Sequence, residues 1–268
     1  MPEGDTLHRT AARLRLALAG EVAVEFDAPR LTGERPALPQ PVESVEAEGK
    51  HLLVTFAEGL VLETHLGMPG SWHLYRRGER WRRPRHQLRA LVGTGEWQAA
   101  CFLAPLVRTW RRDDAGTPLV RGPMPVTRLG PDLCRPDPDL DDMLDRLARL
   151  DPATEIGVAL LDQRVASGIG NVYKSEVLWA CRVDPFAPVG ALDGETRRSL
   201  YECAARLLQA NLTTARRTTR PGGGVAVYRR AGAACPRCGT HIVMRYQGVQ
   251  QRSTYWCPSC QEAGTRTS

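Results

Sequence analysis

Four cysteines have the spacing of a metal site. Cys235-Pro-Arg-Cys238 and Cys257-Pro-Ser-Cys260 are two pairs, each with two residues between its thiols, and eighteen residues separate the pairs. Each knuckle presents two thiolates from a tight turn, and together they close a tetrahedral shell around one structural Zn2+. Four sulfurs leave no open position for a substrate. The metal would staple a module too small to hold a core of its own. A redox dithiol or a pair of disulfides would use the same residues. Cys101, Cys134, Cys181 and Cys203 are scattered and are expected to pack in the interior.

The start of the chain offers a different chemistry. A small second residue favours removal of Met1, which would expose the secondary amine of Pro2. An α-amino group titrates near ~8, against ~10.4 for a lysine side chain, so a useful fraction is unprotonated at neutral pH. A secondary amine that attacks a sugar C1′ yields an iminium, which is cationic at every pH and acidifies the neighbouring C2′ proton. Glu3 lies next in line as a general acid or base. Met-Pro-Glu is a common start, and taken alone it carries no conclusion.

Two further segments suit a polyanion. Gly168-Ile169-Gly170-Asn171 joins two helical stretches and places backbone N–H groups at a helix N-terminus, where a phosphate binds without side-chain charge. Such a turn also serves as a packing device. Between the cysteine pairs, Arg245 to Tyr255 reads as a β-hairpin with basic residues at its tip, fit for a phosphate or a groove, or else a solvated turn.

Charge distribution points the same way. The net charge is +6. From Cys203 to Gln261 there are nine arginines and no Asp or Glu, and Arg76 to Arg89 holds seven arginines against Glu79 alone. Residues 132–151 carry seven Asp. Like charge this dense fits a polyanionic partner or, more blandly, a solvated basic face. Lys50 and Lys174 are the only lysines beside 34 arginines, so each draws notice as a possible amine.

The elements that must position these groups follow from periodicity. Leu7, Ala11, Leu14 and Leu18 mark one helical face, with Asp5 as N-cap and Gly20 as the stop. Leu31 to Val42 is proline-rich and reads as loop. Leu52–Phe56 with Leu60–Leu66, and Leu88–Val92 with Trp97–Phe102, read as two hairpins. Pro118 to Pro138 reads as a connector. Helical periods follow at Leu140 to Leu150, at Ile156 to Leu161, from Asn171 as cap to about Ala180, and from Leu192-Asp193 through Leu208. No run of eighteen apolar residues exists and the N-terminus lacks signal-peptide character, so a cytoplasmic chain without a membrane span is expected.

Taken in order, these segments resemble the formamidopyrimidine-DNA glycosylase and endonuclease VIII family, most nearly its actinobacterial endonuclease VIII type. The matching pieces are Met1-Pro2-Glu3-Gly4, Gly49-Lys50-His51-Leu52-Leu53, His65-Leu66-Gly67-Met68, Leu160-Leu161-Asp162-Gln163, Gly168-Ile169-Gly170-Asn171, and the cysteines with Tyr255-Trp256-Cys257-Pro258. The resemblance implies an α+β multidomain fold. Residues 1–122 would be a catalytic β-sandwich with a flanking helix and 123–135 a linker. Residues 136–222 would be a helix-two-turn-helix domain and 223–268 a zinc ribbon. It implies a bifunctional DNA glycosylase and abasic-site lyase of base excision repair, acting as a monomer on damaged DNA at the nucleoid. Pro2 would be the Schiff-base nucleophile, Glu3 the acid/base and Lys50 a contact to the lesion phosphate that assists strand cleavage by β/δ-elimination. His65 and Asn171 would hold phosphates beside a flipped nucleotide. Met68 would fill the gap in the stack, and Arg252 would meet the flanking phosphates. Arg217 to Gly224 would be a flexible loop near the flipped base.

Two departures stand out. Thr6 occupies a position where most relatives carry glutamate. The Asp-Pro-Arg-Arg-Phe-Gly segment of the 8-oxoguanine branch is replaced by Leu103 to Arg112, which favours oxidised pyrimidines and leaves Arg108 and Trp110 as candidates to join Met68. A non-catalytic reader of damaged or branched DNA on the same scaffold is the alternative.

Overall fold

The computed structural model describes residues 2–112, 126–214 and 216–262. The chain divides into two units, the first ending at Arg128 and the second beginning at Leu129.

The first unit opens with α1 (Gly4–Leu18). Leu7, Ala11, Leu14 and Leu18 are all buried, as their shared face requires. The cap differs from expectation. Glu3 takes the N-cap position with extended backbone, and Asp5 falls inside the first turn, 3.4 Å from Arg9. An acid there still complements the helix dipole.

Nine strands follow: β1 (Val22–Ala23), β2 (Glu25–Asp27), β3 (Gln40–Glu48), β4 (His51–Phe56), β5 (Leu60–His65), β6 (Ser71–Arg76), β7 (Leu88–Gly93), β8 (Trp97–Phe102) and β9 (Leu106–Arg111). They make two antiparallel sheets, ordered β1-β3-β4-β5-β9 and β2-β7-β8-β6. The two expected hairpins are β4–β5 and β7–β8. The loop expected as far as Val42 instead gives way to β3 at Gln40, because Val42 and Val45 find an apolar layer in which to bury. Val45 and Val54 of one sheet, Val92 and Cys101 of the other, and Leu14 of α1 share a single core. The outer face of the four-stranded sheet has its own cluster of Tyr75, Leu91 and Phe102, against which Trp81 packs.

The second unit contains α2 (Leu140–Ala148), α3 (Ile156–Ala159), α4 (Asn171–Ala180), α5 (Gly194–Gln209) and the hairpin β10 (Val243–Gln247) with β11 (Arg252–Trp256). Asp139 and Asp193 cap α2 and α5 by accepting from the N–H groups of Asp142 and Thr196 at 2.9 and 2.6 Å. The helix expected to run to Leu161 is the single turn α3. Beyond it, the Gln163 amide donates to Ile169 O (3.0 Å) and accepts from Gly168 N (3.1 Å), closing the turns before α4. The cap of α4 is Gly170, not Asn171, which is the first helical residue and spends its amide elsewhere. Met143, Ile156, Tyr173, Leu200 and Leu208 form the core, with α4 buried from Asn171 to Trp179. Cys101, Cys134 and Cys203 are buried as expected, and Cys181 is half-buried. Part of the connector from Pro118 to Pro138, and the boundary at 122–123, lie outside the described residues. No described helix is long and apolar enough to cross a membrane.

The α5 cap gives a direct check. Asp193→Ala should cost about 1 kcal/mol. Urea denaturation should show a lower midpoint with an unchanged slope.

Candidate functional site

In the first unit, β3 and β4 are joined through Gly49 and Lys50, with Glu48 paired to His51. So short a turn needs positive φ, and Gly49 supplies it at 56°. Lys50 is thereby presented, half-buried, at the end of the five-stranded sheet. His51 pairs with His65 across β4 and β5, their ring centroids 5.0 Å apart. The turn Leu66-Gly67-Met68 follows at once and is closed by a bond from Gly70 N to Leu66 O (2.9 Å). Lys50 is thereby brought to the same end of the sheet as His65 and the turn carrying Met68. Met68 is 72% exposed.

Beneath this end lies Glu63, on β5 with no exposed surface. Arg108 donates to both its oxygens (2.9 and 3.0 Å), Trp110 Nε1 donates at 2.7 Å, and His51 Nδ1 lies 2.8 Å away. Burial pushes the Glu63 carboxyl up, but the bonds from His51 and Arg108 outweigh it, and the pKa falls below its ordinary value. This arrangement corrects an expectation. Arg108 and Trp110 do not stand beside Met68 as wedge partners; both are buried and committed to Glu63.

His65 is held neutral. Burial first, then the charges of His51 and Lys50, push it down from 6.5 to about 4, against a smaller pull from Glu63. Gly67 N donates to its Nδ1 at 3.3 Å, which leaves the proton on Nε2. A neutral imidazole with Nε2–H can donate to a phosphate oxygen without carrying charge into the site.

Pro2 is half-buried, and Glu3 beside it has no exposed surface. Arg15 Nε donates to Val45 O at 2.9 Å, fastening α1 to β3. Thr6, the departure noted in the sequence, donates to Asp5 at 3.3 Å.

In the second unit, α4 and β11 are stitched together. Asn171 Nδ2 donates to Ser253 O (2.7 Å) and Oγ (3.0 Å), and Lys174 Nζ donates to Thr254 Oγ1 (2.6 Å). This fixes the strand that starts with Arg252, whose exposed guanidinium rests on Gln250 Oε1 at 3.0 and 3.1 Å. Glu176, also on α4 and buried, accepts from the N–H groups of Ala226, Val227 and Tyr228 (2.7–2.8 Å) and from Thr219 Oγ1. It anchors the far side of the 217–224 loop, at whose start Arg217 lies over the Tyr173 ring at 4.9 Å.

Cys235, Cys238, Cys257 and Cys260 bring their sulfurs within 4.8 Å of one another. Sulfur separations of 3.4 to 4.0 Å suit a tetrahedron whose metal–sulfur bonds are about 2.3 Å. The four are a zinc-binding arrangement. Trp179 Nε1 and Arg237 N both donate to Cys235 Sγ at 3.4 Å, the outer bonds that orient a thiolate ligand.

Sequence reading missed Glu63 and Glu176 and gave Lys174 no role. Each had a signal. A single charge inside an apolar run, such as Leu-Val-Leu-Glu-Thr-His-Leu, is buried only if partnered.

Two outcomes follow. Glu63→Leu should cost about 3–5 kcal/mol in denaturant unfolding, since Arg108 would be left buried without its counter-charge. Stability should also fall on acidification in two windows. His65 has a folded pKa near 4, below the 6.5 of the unfolded chain, so protonation of the unfolded state destabilises the fold between those values. Glu63, with a folded pKa lowered from 4.5, holds its contribution above that value and loses it as pH falls through the lowered one. NMR titration of the imidazoles should place His65 near 4.

Comparison with known proteins places the whole chain. Residues 1–101 match the formamidopyrimidine-DNA glycosylase N-terminal domain, 129–221 the formamidopyrimidine-DNA glycosylase H2TH domain, and 232–263 the zinc finger found in FPG and IleRS. A probable endonuclease 8 2 of Streptomyces coelicolor is 42% identical over 97% of this chain and 94% of its own. The DNA-(apurinic or apyrimidinic site) lyase Nei2 of Mycolicibacterium smegmatis is 37% identical over 98% of this chain and 100% of its own. The crystal structure of the MutM (FPG) protein of Thermus thermophilus superposes with a TM-score of 0.76 at 27% identity, covering 98% of this chain and 100% of that one. The two sheets with their leading helix, the helix-two-turn-helix element and the four-cysteine finger are thus the parts of one known architecture, and the chain belongs to the formamidopyrimidine-DNA glycosylase and endonuclease VIII family.

Proposed function

We propose that this protein is a bifunctional DNA glycosylase and abasic-site lyase of base excision repair whose nucleophile is the imino nitrogen of Pro2, freed by removal of Met1. The observation that carries the reading is Glu3, a carboxyl with no exposed surface set directly after Pro2 at the start of α1. A buried acid at that place is poised to pass a proton to the departing base or the opening sugar ring. Pro2 N forms a bond to C1′ as the glycosidic C1′–N bond breaks and the base leaves with a proton. Ring opening gives the iminium. Loss of the C2′ proton then expels the 3′ phosphate, and a second elimination expels the 5′ phosphate.

The remaining roles divide between the units. Lys50 and the neutral His65 meet lesion-strand phosphates from the sheet end, and Met68 enters the stack where the base has left. The N-terminus of α4, with Asn171, and Arg252 on β11 take flanking phosphates, and Asn171 holds the Arg252 strand in place through Ser253. Lys174 is engaged with Thr254 and serves as structure rather than as the reacting amine. The protein acts as a monomer in the cytoplasm, at the nucleoid. Oxidised pyrimidines are the favoured substrates, a reading supported by the Leu103 to Arg112 segment that stands where the 8-oxoguanine branch carries Asp-Pro-Arg-Arg-Phe-Gly.

Borohydride reduction in the presence of abasic duplex should lock protein to DNA. Pro2→Gly, or retention of Met1, should reduce trapping and nicking by about a hundredfold or more. Tight binding to damaged duplex with no trapped product on any substrate would leave a non-catalytic reader instead. Excision assays over a panel of oxidised pyrimidines and purines would test the preference.

A further inference from the structure

A recess of about 130 Å³ opens in the first unit, lined by Arg30, Arg89, Leu103, Ala104, Pro105 and Val107. Its side chains offer one kind of polar chemistry. Two guanidiniums supply donors, the other four side chains are apolar, and no carboxylate lines it. A guanine edge, with its N7 and O6 acceptors, would also take a guanidinium, but it brings no charge to answer two of them. A phosphodiester oxygen only accepts, carries charge, and fits a guanidinium fork.

The two arginines are differently held. Arg89 Nη1 donates to Leu88 O (2.9 Å) and His86 O (3.3 Å), which fixes its position and leaves the other nitrogens of its fork for a guest. Arg30 is exposed and makes no hydrogen bond or ion pair with any described residue. Its backbone is nonetheless placed. Thr32 N donates to Val107 O (3.2 Å) and Thr109 N to Thr32 O (2.9 Å), so this segment runs beside β9. Leu103 sits at φ 56°, a costly conformation outside glycine, and is held there by a 2.9 Å bond from its N–H to Gln87 O.

The recess adjoins the Met68 turn. A Cβ built on Gly67 would lie 2.9 Å from Pro105 Cγ, so turn and recess wall are in close contact. Along the sheet end the order is the Lys50 turn, then His65, then Leu106, which pairs with His65 at the start of β9. Lys50 therefore lies on the β4 side of His65, and the recess, against the Gly67 turn, on the β9 side. A wedge that enters a duplex has the lesion strand on one side and the facing strand on the other.

We infer that this recess is a binding subsite for one backbone phosphate of the strand facing the lesion, gripped by Arg30 and Arg89. The assignment rests on the reading that Met68 enters the duplex. The grip reads no base, so it fixes the register of the facing strand without selecting its sequence.

Binding is best read on a duplex carrying an uncleavable tetrahydrofuran abasic analogue, so that the result does not depend on strand cleavage. Arg30→Ala should keep the melting temperature, weaken binding about five- to tenfold, and lower the log–log salt slope by about 1. Single neutral methylphosphonates placed in turn along the facing strand should weaken the wild type at one or two adjacent positions, and R30A should be insensitive there. An unchanged slope for R30A would overturn the assignment. So would full sensitivity of R30A at the wild type's positions, or a loss that maps to the lesion strand. Borohydride trapping of the wild type separately reports the lyase reading, so either can fail without the other.

Discussion

A carboxylate with no exposed surface has to be matched by donors, and Glu63 is matched on every side. Arg108 forks onto it, Trp110 donates to it and His51 leans against it. These four residues come from three adjacent strands, β4, β5 and β9. Their bonds therefore fix how the strand ends line up, beyond what backbone pairing alone sets. His51 is flanked by Lys50 in sequence and by His65 across the sheet. The sheet end that carries the reactive-looking side chains is thus built on a buried ion pair. Such a pair contributes little net stability but is costly to break, which makes it a device for holding one geometry.

The second unit repeats the logic with different residues. Glu176 is surrounded by three backbone N–H groups and a hydroxyl, and Asn171 and Lys174 reach from the same helix to β11. In both units a buried carboxylate sets the positions of the segments around it. The long acid-free stretch from Cys203 to Gln261 makes sense in these terms, since the buried acid that organises part of it, Glu176, comes from α4 outside the stretch.

Much of this was legible in the sequence, for physical reasons that differ from piece to piece. The cysteine pairs could be read because four thiolates on two knuckles have few other uses. The two hairpins could be read because apolar runs flank short Gly-containing breaks. The start of α5 could be read at Leu192-Asp193, where an acid precedes the helical period, and there Asp193 accepts from Thr196 N. The caps at Asp5 and Asn171 could not be read. Each residue has the right type, but Glu3 and Gly170 take the cap positions; Asp5 turns to Arg9 one helical turn on, and the distant Ser253 takes Asn171. Arg108 and Trp110 were placed outward for the same reason. Nothing local shows that Glu63, some forty-five residues earlier, is waiting beneath them. The recess beside Pro105 was invisible altogether, because Arg89 on β7 and Arg30 on the segment beside β9 come to line one recess only in the folded chain.

The stitching of α4 to β11 has a consequence for an organism under oxidative stress. Ser253 and Thr254 lie four and three residues before Cys257, and Trp179 near the other end of α4 donates to Cys235. Thiolates are the ligands that oxidation removes, and the strand leading into the second knuckle is the one Asn171 and Lys174 clasp, so the four sulfurs, the helix terminus and the Arg252 tip are mechanically linked. Cys235 and Cys257 are buried and Cys260 half-buried, so the exposed Cys238 is the thiol through which an oxidant would first reach that scaffold.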